Sequence, residues 1–391
     1  MASALERIAG EGARIAETGK RAFAHVDWYL LAAALTISIG GLATMRSFSA
    51  ENTFFDRQIV WICTALVVFF VASLPDYAFL RRTRVIVSFF GSIALLLALV
   101  YFFGAIVKGA QNRFDLGFFA VQPSDPAKLL LVMVLAKYFA RRHIEIAHIR
   151  HILISGGYAF ALFVLVFFQP DLGSGIIIAS IWLGMVLVAG ISWKHLAVLF
   201  ITAAVIAGAL WHWGLQPYQK QRVLTFLHPL TDIHGAGYNA YQSTVAVGSG
   251  ELFGKGIGYG TQSKLKFLPE YQTDFIFAAY AEEWGFFGIV ILLGLFGVVI
   301  VRILTIAAHT GNNFDTLFGV GLAIYFTAQF IVHAGMNMGL LPITGTTMPF
   351  MSYGGSHLVT EYLSLGILMA MRRHSRPAIR VRDETDFAEA L

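Results

Sequence analysis

The 391-residue chain is predicted to be an all-α, polytopic integral membrane protein of about ten transmembrane helices, and three observations point there. Hydrophobic residues make up 57% of it, against roughly 45–50% in ordinary globular chains. Charged residues make up 13%, against about 25%, and the mean hydropathy is +0.69. A soluble fold needs more charge than this to cover its surface. The same composition excludes intrinsic disorder, and a lone cysteine, Cys63, excludes a disulfide scaffold. The apolar runs are about twice the length of barrel strands and lack strict alternation, which excludes a β-barrel.

A span needs about 20 mostly apolar residues. Ten such segments run roughly 28–45, 58–75, 85–104, 124–140, 152–169, 173–191, 196–213, 274–301, 314–338 and 352–371. Only Gln169, Pro170, Asp171 and Leu172 separate the fifth from the sixth, so these two form a tight helical hairpin. The eighth is long enough to tilt or to protrude. The expected organisation is a basic leader over 1–27, a single membrane domain over 28–373 that includes a loop over 214–273, and a tail over 374–391. The leader is too long for the n-region of a cleavable signal peptide and no convincing small-residue cleavage site follows it. Leu5, Ile8 and Ile15 fall near one helical face, so the leader either lies on the inner surface or is simply a basic tail.

Lys and Arg fix the orientation. With the N-terminus inside, 17 fall on the cytoplasmic side and 9 opposite, five of the 9 in the long 214–273 loop, where the positive-inside rule has little force. Both termini are therefore expected in the cytoplasm, with one large extracytoplasmic loop. The net charge of +5 and pI near 9.2 reflect this topology signal rather than nucleic-acid binding, because the basic residues form short clusters between spans.

Four stretches depart from plain membrane filler. The 214–273 loop carries GAGYNAYQSTVAVGSGELFGKGIGYGTQ from Gly235 to Gln262. A loop of this length inside a compact protein is usually functional, and its glycines permit positive-φ turns and close approach of backbone to a ligand. A flexible linker is the plainer alternative, but Leu252, Phe253, Leu265, Phe267 and Leu268 are too apolar for a solvated spacer. The loop ends in FLPEYQTDFIFAAYAEEWG, which puts Asp274 where the eighth span begins. Thr273 or Asp274 either caps that helix, or Asp274 is a base at the mouth of a cavity. Glu282 and Glu283 lie deeper, where ionisable residues are expensive and usually functional or paired.

In VQPSDPAKLLLVMVLAKYFARR, Ser124 is a plausible N-cap and Pro126 suits the first helical turn. Asp125 complements the helix N-terminus, and Lys128 lies three residues on along the same face. The pair reads as an i,i+3 ion pair or as a phosphate-binding lysine. In FFQPDLGSG, Asp171 caps the sixth helix or binds a cation or sugar hydroxyl, with the cap favoured. NMGLLPITGTTMPFMSYGGS, from Asn337 to Ser356, reads as broken, re-entrant-like backbone, tolerated at membrane depth only where protein or water satisfies it. No HExxH, paired CxxC, Walker or GxGxxG pattern appears, so neither a protein-built metal site nor nucleotide use is indicated.

These four stretches together resemble the SEDS family (shape, elongation, division and sporulation), the RodA/FtsW/SpoVE proteins of bacterial wall synthesis. The resemblance runs from about residue 28 to 373 and is carried by QPSDPAK, QPDLGSG, GSGELFGKGIGYGTQSKLKFLPEYQTDFIFAAYAEEWG and LPITGTTMPFMSYGGS. GKGxGxGTQ followed by FLPE looks more like the RodA, or elongation, branch. The resemblance implies a peptidoglycan glycosyltransferase that polymerises lipid II at the outer face of the bacterial cytoplasmic (inner) membrane. Asp274 matches the family's essential aspartate and Lys128 its lysine. Asp125 stands where the family usually has glutamate, one methylene longer.

On this footing Asp274, Lys128 and Asp125 are the candidate catalytic residues. Asp274 would be the general base on the acceptor GlcNAc 4-hydroxyl, Lys128 would offset charge on the departing pyrophosphate, and Asp125 would orient Lys128 or a bound water or cation. Arg222 and Lys255, chosen for charge and loop position, and Gln262, Glu270, Ser352 and Ser356, from the matching motifs, are candidates for substrate binding. No cofactor is required by any motif; a divalent cation, Mg or Mn, is compatible with the chemistry. The implied partners are lipid II, a class B penicillin-binding protein and the elongation machinery. Two other function classes compete: a lipid II flippase, whose key charges should lie deep, like Glu282 and Glu283, and a non-catalytic scaffold for the penicillin-binding protein.

Overall fold

The computed structural model describes residues 25–46, 53–107, 110–115, 117, 120–141, 149–228, 235, 237–265 and 267–375. The leader up to residue 24 and the tail from residue 376 lie outside them. The first six spans are α1 (Trp28–Arg46), α2 (Thr53–Ala72), α3 (Thr83–Phe103), α4 (Ser124–Ala140), α5 (Ile149–Phe167) and α6 (Leu172–Ala189). Next come α7 (Trp193–Ala209), which ends in a π turn over Leu210–Gly214, and the loop helices α8 (Pro217–Leu227), α9 (Tyr238–Ser249) and α10 (Thr261–Lys264). The last three spans are α11 (Ile276–Ala308), α12 (Asn313–Asn337) and α13 (Gly355–His374).

Among the described residues eight helices are long and apolar enough to cross a membrane. The other two of the ten expected spans are α4 and α13. Both are buried along most of their length, so the helices least apolar by length and composition form the centre of the bundle. That inversion is expected in lipid, where outer helices must be greasy and inner ones can carry polar groups. α13 packs on α2, α11 on α1 and α12, and α12 on α4 and α6. α7 buries no residue at all and presents Phe200, Ile201 and Val205 outward.

Three short strands depart from the all-helical expectation. β1 (Ala105–Val107), β2 (Ala110–Asp115) and β3 (Ala120–Val121) form an antiparallel sheet in that order between α3 and α4. Two of its strands have only two or three residues, and the six of β2, AQNRFD, do not alternate apolar with polar. The 214–273 loop is largely structured: Gln216 and Gln219 form a reciprocal capping box at the start of α8.

The glycine-rich part of that loop folds down onto α11. The backbone N–H groups of Lys255 and Gly256 donate to the carbonyls of Glu282 and Glu283, both at 3.0 Å, where α11 kinks at Gly285. Gly254 has φ +78°, and a Cβ there would sit 2.1 Å from the Glu283 carbonyl oxygen. Only glycine permits both that conformation and that contact.

Candidate active site

A cavity of about 570 Å³ opens where β2, the start of α4, the α5–α6 hairpin, the start of α11 and the 338–354 segment meet. Asp274, Asp125, Asp171, Glu270 and Ser356 all line it. Four stretches far apart in sequence therefore supply one chamber.

The 338–354 segment forms one wall without regular structure, and its backbone is satisfied by named side chains, as membrane depth demands. Ser38 Oγ donates to the Phe350 carbonyl at 2.7 Å, and the Phe350 N–H donates to Glu361 Oε2 at 2.7 Å. Gln58 Nε2 donates to the Ser352 carbonyl at 3.2 Å, and Gln329 Nε2 to the Thr347 carbonyl at 3.0 Å. Ser352 is itself a strut: its Oγ accepts from the Met348 N–H at 2.7 Å and donates to the Thr273 carbonyl at 2.8 Å. In that way Ser352 ties this wall to the residue preceding Asp274.

Asp274 is not a helix cap. The N-cap of α11 is Phe275, with no side chain capping it. The Asp274 N–H donates to the Glu270 carbonyl at 3.1 Å, and its own carbonyl accepts from Asn337 Nδ2 at 3.0 Å. Held at both ends of its peptide, Asp274 is half-buried with its carboxylate beside Gly345, whose φ is +73°. A Cβ on Gly345 would lie 3.4 Å from Asp274 Oδ2.

Asp125 lines the cavity, and the Lys128 paired with it lines a smaller adjoining chamber instead. Lys128 Nζ donates to Asp125 Oδ1 at 3.1 Å, and both side chains are about 95% buried. Ser124 does not cap α4; its Oγ accepts from Gln122 Nε2 at 3.0 Å. The same amide donates to Asp171 Oδ2 at 3.0 Å, while Asp171 Oδ1 accepts the Ser174 N–H at 2.9 Å. Asp171 is thus the cap of α6 and also fixes Gln122 at the cavity edge. Ser356 Oγ bonds the Gln122 backbone, accepting from its N–H at 3.2 Å.

Lys255 and Gln262 lie elsewhere. Lys255 Nζ donates to Glu282 Oε1 at 2.8 Å and to Thr261 Oγ1 at 2.9 Å. The Gln262 N–H donates to the same Glu282 oxygen at 3.1 Å. Lys255 and Gln262 therefore belong to the clamp that pins the loop on α11, and neither is among the residues lining the cavity. Arg222 sits on α8, and its side chain lies outside the described residues.

Arg57 on α2 and Arg113 on β2 line the cavity, as do His357, Gln122 and Trp61. Two arginines opposite a group of carboxylates make a cavity able to bind a phosphate-bearing, hydroxyl-rich ligand. Among the described residues no three carboxylate, histidine or cysteine side chains converge as a protein metal cage requires.

The FtsW/RodA/SpoVE model, described as cell cycle protein, matches residues 22–377. This chain belongs to that family. It is 36% identical to the peptidoglycan glycosyltransferase MrdB of Escherichia coli (strain K12) over 354 residues, which is 90% of this chain and 95% of that one. It is 32% identical to stage V sporulation protein E of Bacillus subtilis (strain 168), over 89% of this chain and 95% of the relative. Among solved structures, a chain from a study of structural coordination of polymerization and crosslinking by a peptidoglycan synthase complex matches with a TM-score of 0.76 and 32% identity. That match covers 89% of this chain and 97% of the other. The rod shape determining protein RodA of Thermus thermophilus matches with a TM-score of 0.67 and 28% identity, over 89% of this chain and 97% of that one.

Sequence reasoning passed over Arg57 and Arg113 because each stands in a segment with no motif around it. Their signal is three-dimensional: a short sheet and the exposed end of α2 bring them to the same opening as Asp274.

Proposed function

We propose that this family member is an inverting peptidoglycan glycosyltransferase that polymerises lipid II during cell elongation, with its cavity at the outer face of the bacterial cytoplasmic membrane. One observation carries the reading: Asp274 and Asp125, far apart in the chain, line one cavity that also holds two arginines, and Asp125 is paired with the buried Lys128. The charge asymmetry of the loops supports an orientation with that end of the bundle outside.

The acceptor GlcNAc 4-hydroxyl attacks the donor's anomeric carbon, and its proton passes to the Asp274 carboxylate. The bond from that carbon to the pyrophosphate oxygen breaks, undecaprenyl pyrophosphate departs, and an α-linked donor yields a β-1,4 bond by a single inversion. A positioned base contributes about 10²–10⁴-fold. Arg57 and Arg113 offset the charge gathering on the pyrophosphate, an effect strongest in a site that excludes water. The buried Asp125–Lys128 pair supplies a fixed dipole beside the cavity. A class B penicillin-binding protein would then crosslink the strand that leaves the cavity.

A flippase would use charges deep in the bundle. Glu282 is instead engaged with Lys255, Thr261 and the Gln262 N–H, and Glu283 with the Gly258 N–H at 2.9 Å. Both hold the loop, which favours polymerisation over transport. The test is purified protein with labelled lipid II, read for glycan polymer and, in liposomes, for lipid II movement. Polymer is the expected product; flipping with no polymer under any partner or lipid condition overturns the reading.

A further inference from the structure

Gln122 connects the end of β3 to the start of α4, is half-buried, and lines both the active cavity and the smaller chamber beside it. Its backbone is gripped on both sides. The N–H donates to Ser356 Oγ at 3.2 Å, and the carbonyl accepts from the Asp125 N–H at 3.1 Å. The side-chain amide is held as firmly, with Nε2 donating to Ser124 Oγ and to Asp171 Oδ2, each at 3.0 Å.

These contacts determine which way the amide faces. A primary amide nitrogen carries two hydrogens, and here both are engaged. An ionised carboxylate only accepts, so Asp171 Oδ2 must meet the nitrogen of the amide and not its oxygen. The carbonyl Oε1 is the polar atom left over, and no hydrogen bond among the described residues engages it. Fixing one residue through backbone and side chain alike costs conformational freedom. It is also what a preorganised binding group requires of its surroundings.

We propose that Gln122 Oε1 accepts a hydrogen bond from a hydroxyl or acetamido N–H of the lipid II sugars, and that Asp171 is the positioning residue that keeps this acceptor turned to the cavity. The identity of the ligand rests on the glycosyltransferase reading; the orientation of the amide does not. Asp171 has two duties. Its Oδ1 caps α6 through the Ser174 N–H at 2.9 Å, while its Oδ2 sets the amide.

Asp171→Asn separates them. Asparagine caps a helix about as well as aspartate, so the bond from the Ser174 N–H survives and the melting temperature should stay near wild type. The new NH2 group faces Gln122 Nε2, donor against donor, and the Gln122 amide relieves this by turning over. A donor then replaces the acceptor at the cavity. Equilibrium binding of labelled lipid II to the purified full chain is expected to weaken about tenfold. In polymerisation the loss should fall on KM, with kcat unchanged. Gln122→Met, which removes the amide, should weaken binding by a similar factor. With Gln122→Met already in place, Asp171→Asn should cost nothing more. Wild-type affinity in a folded Asp171→Asn protein or in Gln122→Met overturns the proposal, and so do losses that multiply in the double variant. A wild type that binds lipid II but makes no glycan removes the glycosyltransferase reading alone, and the acceptor is then decided by the binding series. A wild type that does not bind lipid II overturns both.

Discussion

The Lys128 ammonium lies 3.1 Å from a carboxylate oxygen of Asp125, three residues earlier on the same helix, and almost no part of either side chain reaches solvent. On an exposed helix such a pair contributes only a few tenths of a kcal/mol. Buried, it behaves differently: two charges out of water tolerate each other only together. Removing one partner is therefore expected to destabilise by about 3–5 kcal/mol. Lys128→Met should show that loss in thermal unfolding, and the double change Asp125→Asn with Lys128→Met should recover much of it. Polymerisation should stay low in both. A double variant that regains wild-type activity along with stability would show that the pair serves the fold alone.

Arg57 and Arg113 stand at the mouth of the same cavity. A hydrogen bond to a charged group contributes about 1.5–3 kcal/mol, so Arg57→Ala and Arg113→Ala should each slow polymerisation roughly 10- to 100-fold. Stability should change little, because neither side chain is buried. Wild-type kcat/KM in both would remove them from pyrophosphate recognition.

The loop clamp makes a paired prediction about glycines. A methyl group at Gly254 meets the Glu283 carbonyl, whereas Gly248, exposed near the end of α9, has nothing within 4 Å of its would-be Cβ. Gly254→Ala should lift the loop from α11 and lower the melting temperature sharply. Gly248→Ala should stabilise by about 0.5–1 kcal/mol, as an alanine replaces glycine in a helix. Equal melting temperatures would mean the loop does not bear on the stability of α11.

At the opposite end of the bundle Asp27 caps α1, accepting the Leu30 N–H at 3.0 Å, and receives Arg302 Nε at 3.1 Å and Arg372 Nη1 at 3.3 Å. Burial by itself raises the Asp27 carboxyl, but the Arg302 hydrogen bonds and the two positive charges outweigh it and hold the group below its usual 3.8. A depressed carboxyl contributes stability that is present above the unfolded value and lost as pH falls through the folded one. Melting temperature in detergent should therefore drop below about pH 3.8 in the wild type, and this component should vanish in Asp27→Asn. An identical acid limb in both would contradict the assignment.

Hydropathy made the ten spans legible because a helix in lipid must satisfy every backbone group internally, and that length requirement is local. The Asp125–Lys128 pair was legible for the same reason, since i,i+3 neighbours meet on any helix. The sheet over Ala105–Val121 was not, because two of its strands have only two or three residues and the six of β2 do not alternate apolar with polar. The glycine-rich loop showed its closeness to backbone but not whose backbone. Glu282 and Glu283 looked like deep functional charges, yet their partners come from Lys255, Gly258 and Thr261, 21 to 27 residues away. Arg57 and Asp274 share a cavity across more than 200 residues of chain, a juxtaposition that local spacing does not encode.

The most direct measurement is single-enzyme polymerisation of labelled lipid II by wild type, Asp274→Asn and Asp274→Ala, each checked for an unchanged melting temperature. As general base, Asp274 should contribute about 10²–10⁴-fold, so both variants should bind lipid II but make almost no glycan. Polymer at the wild-type rate from either one would contradict the assignment.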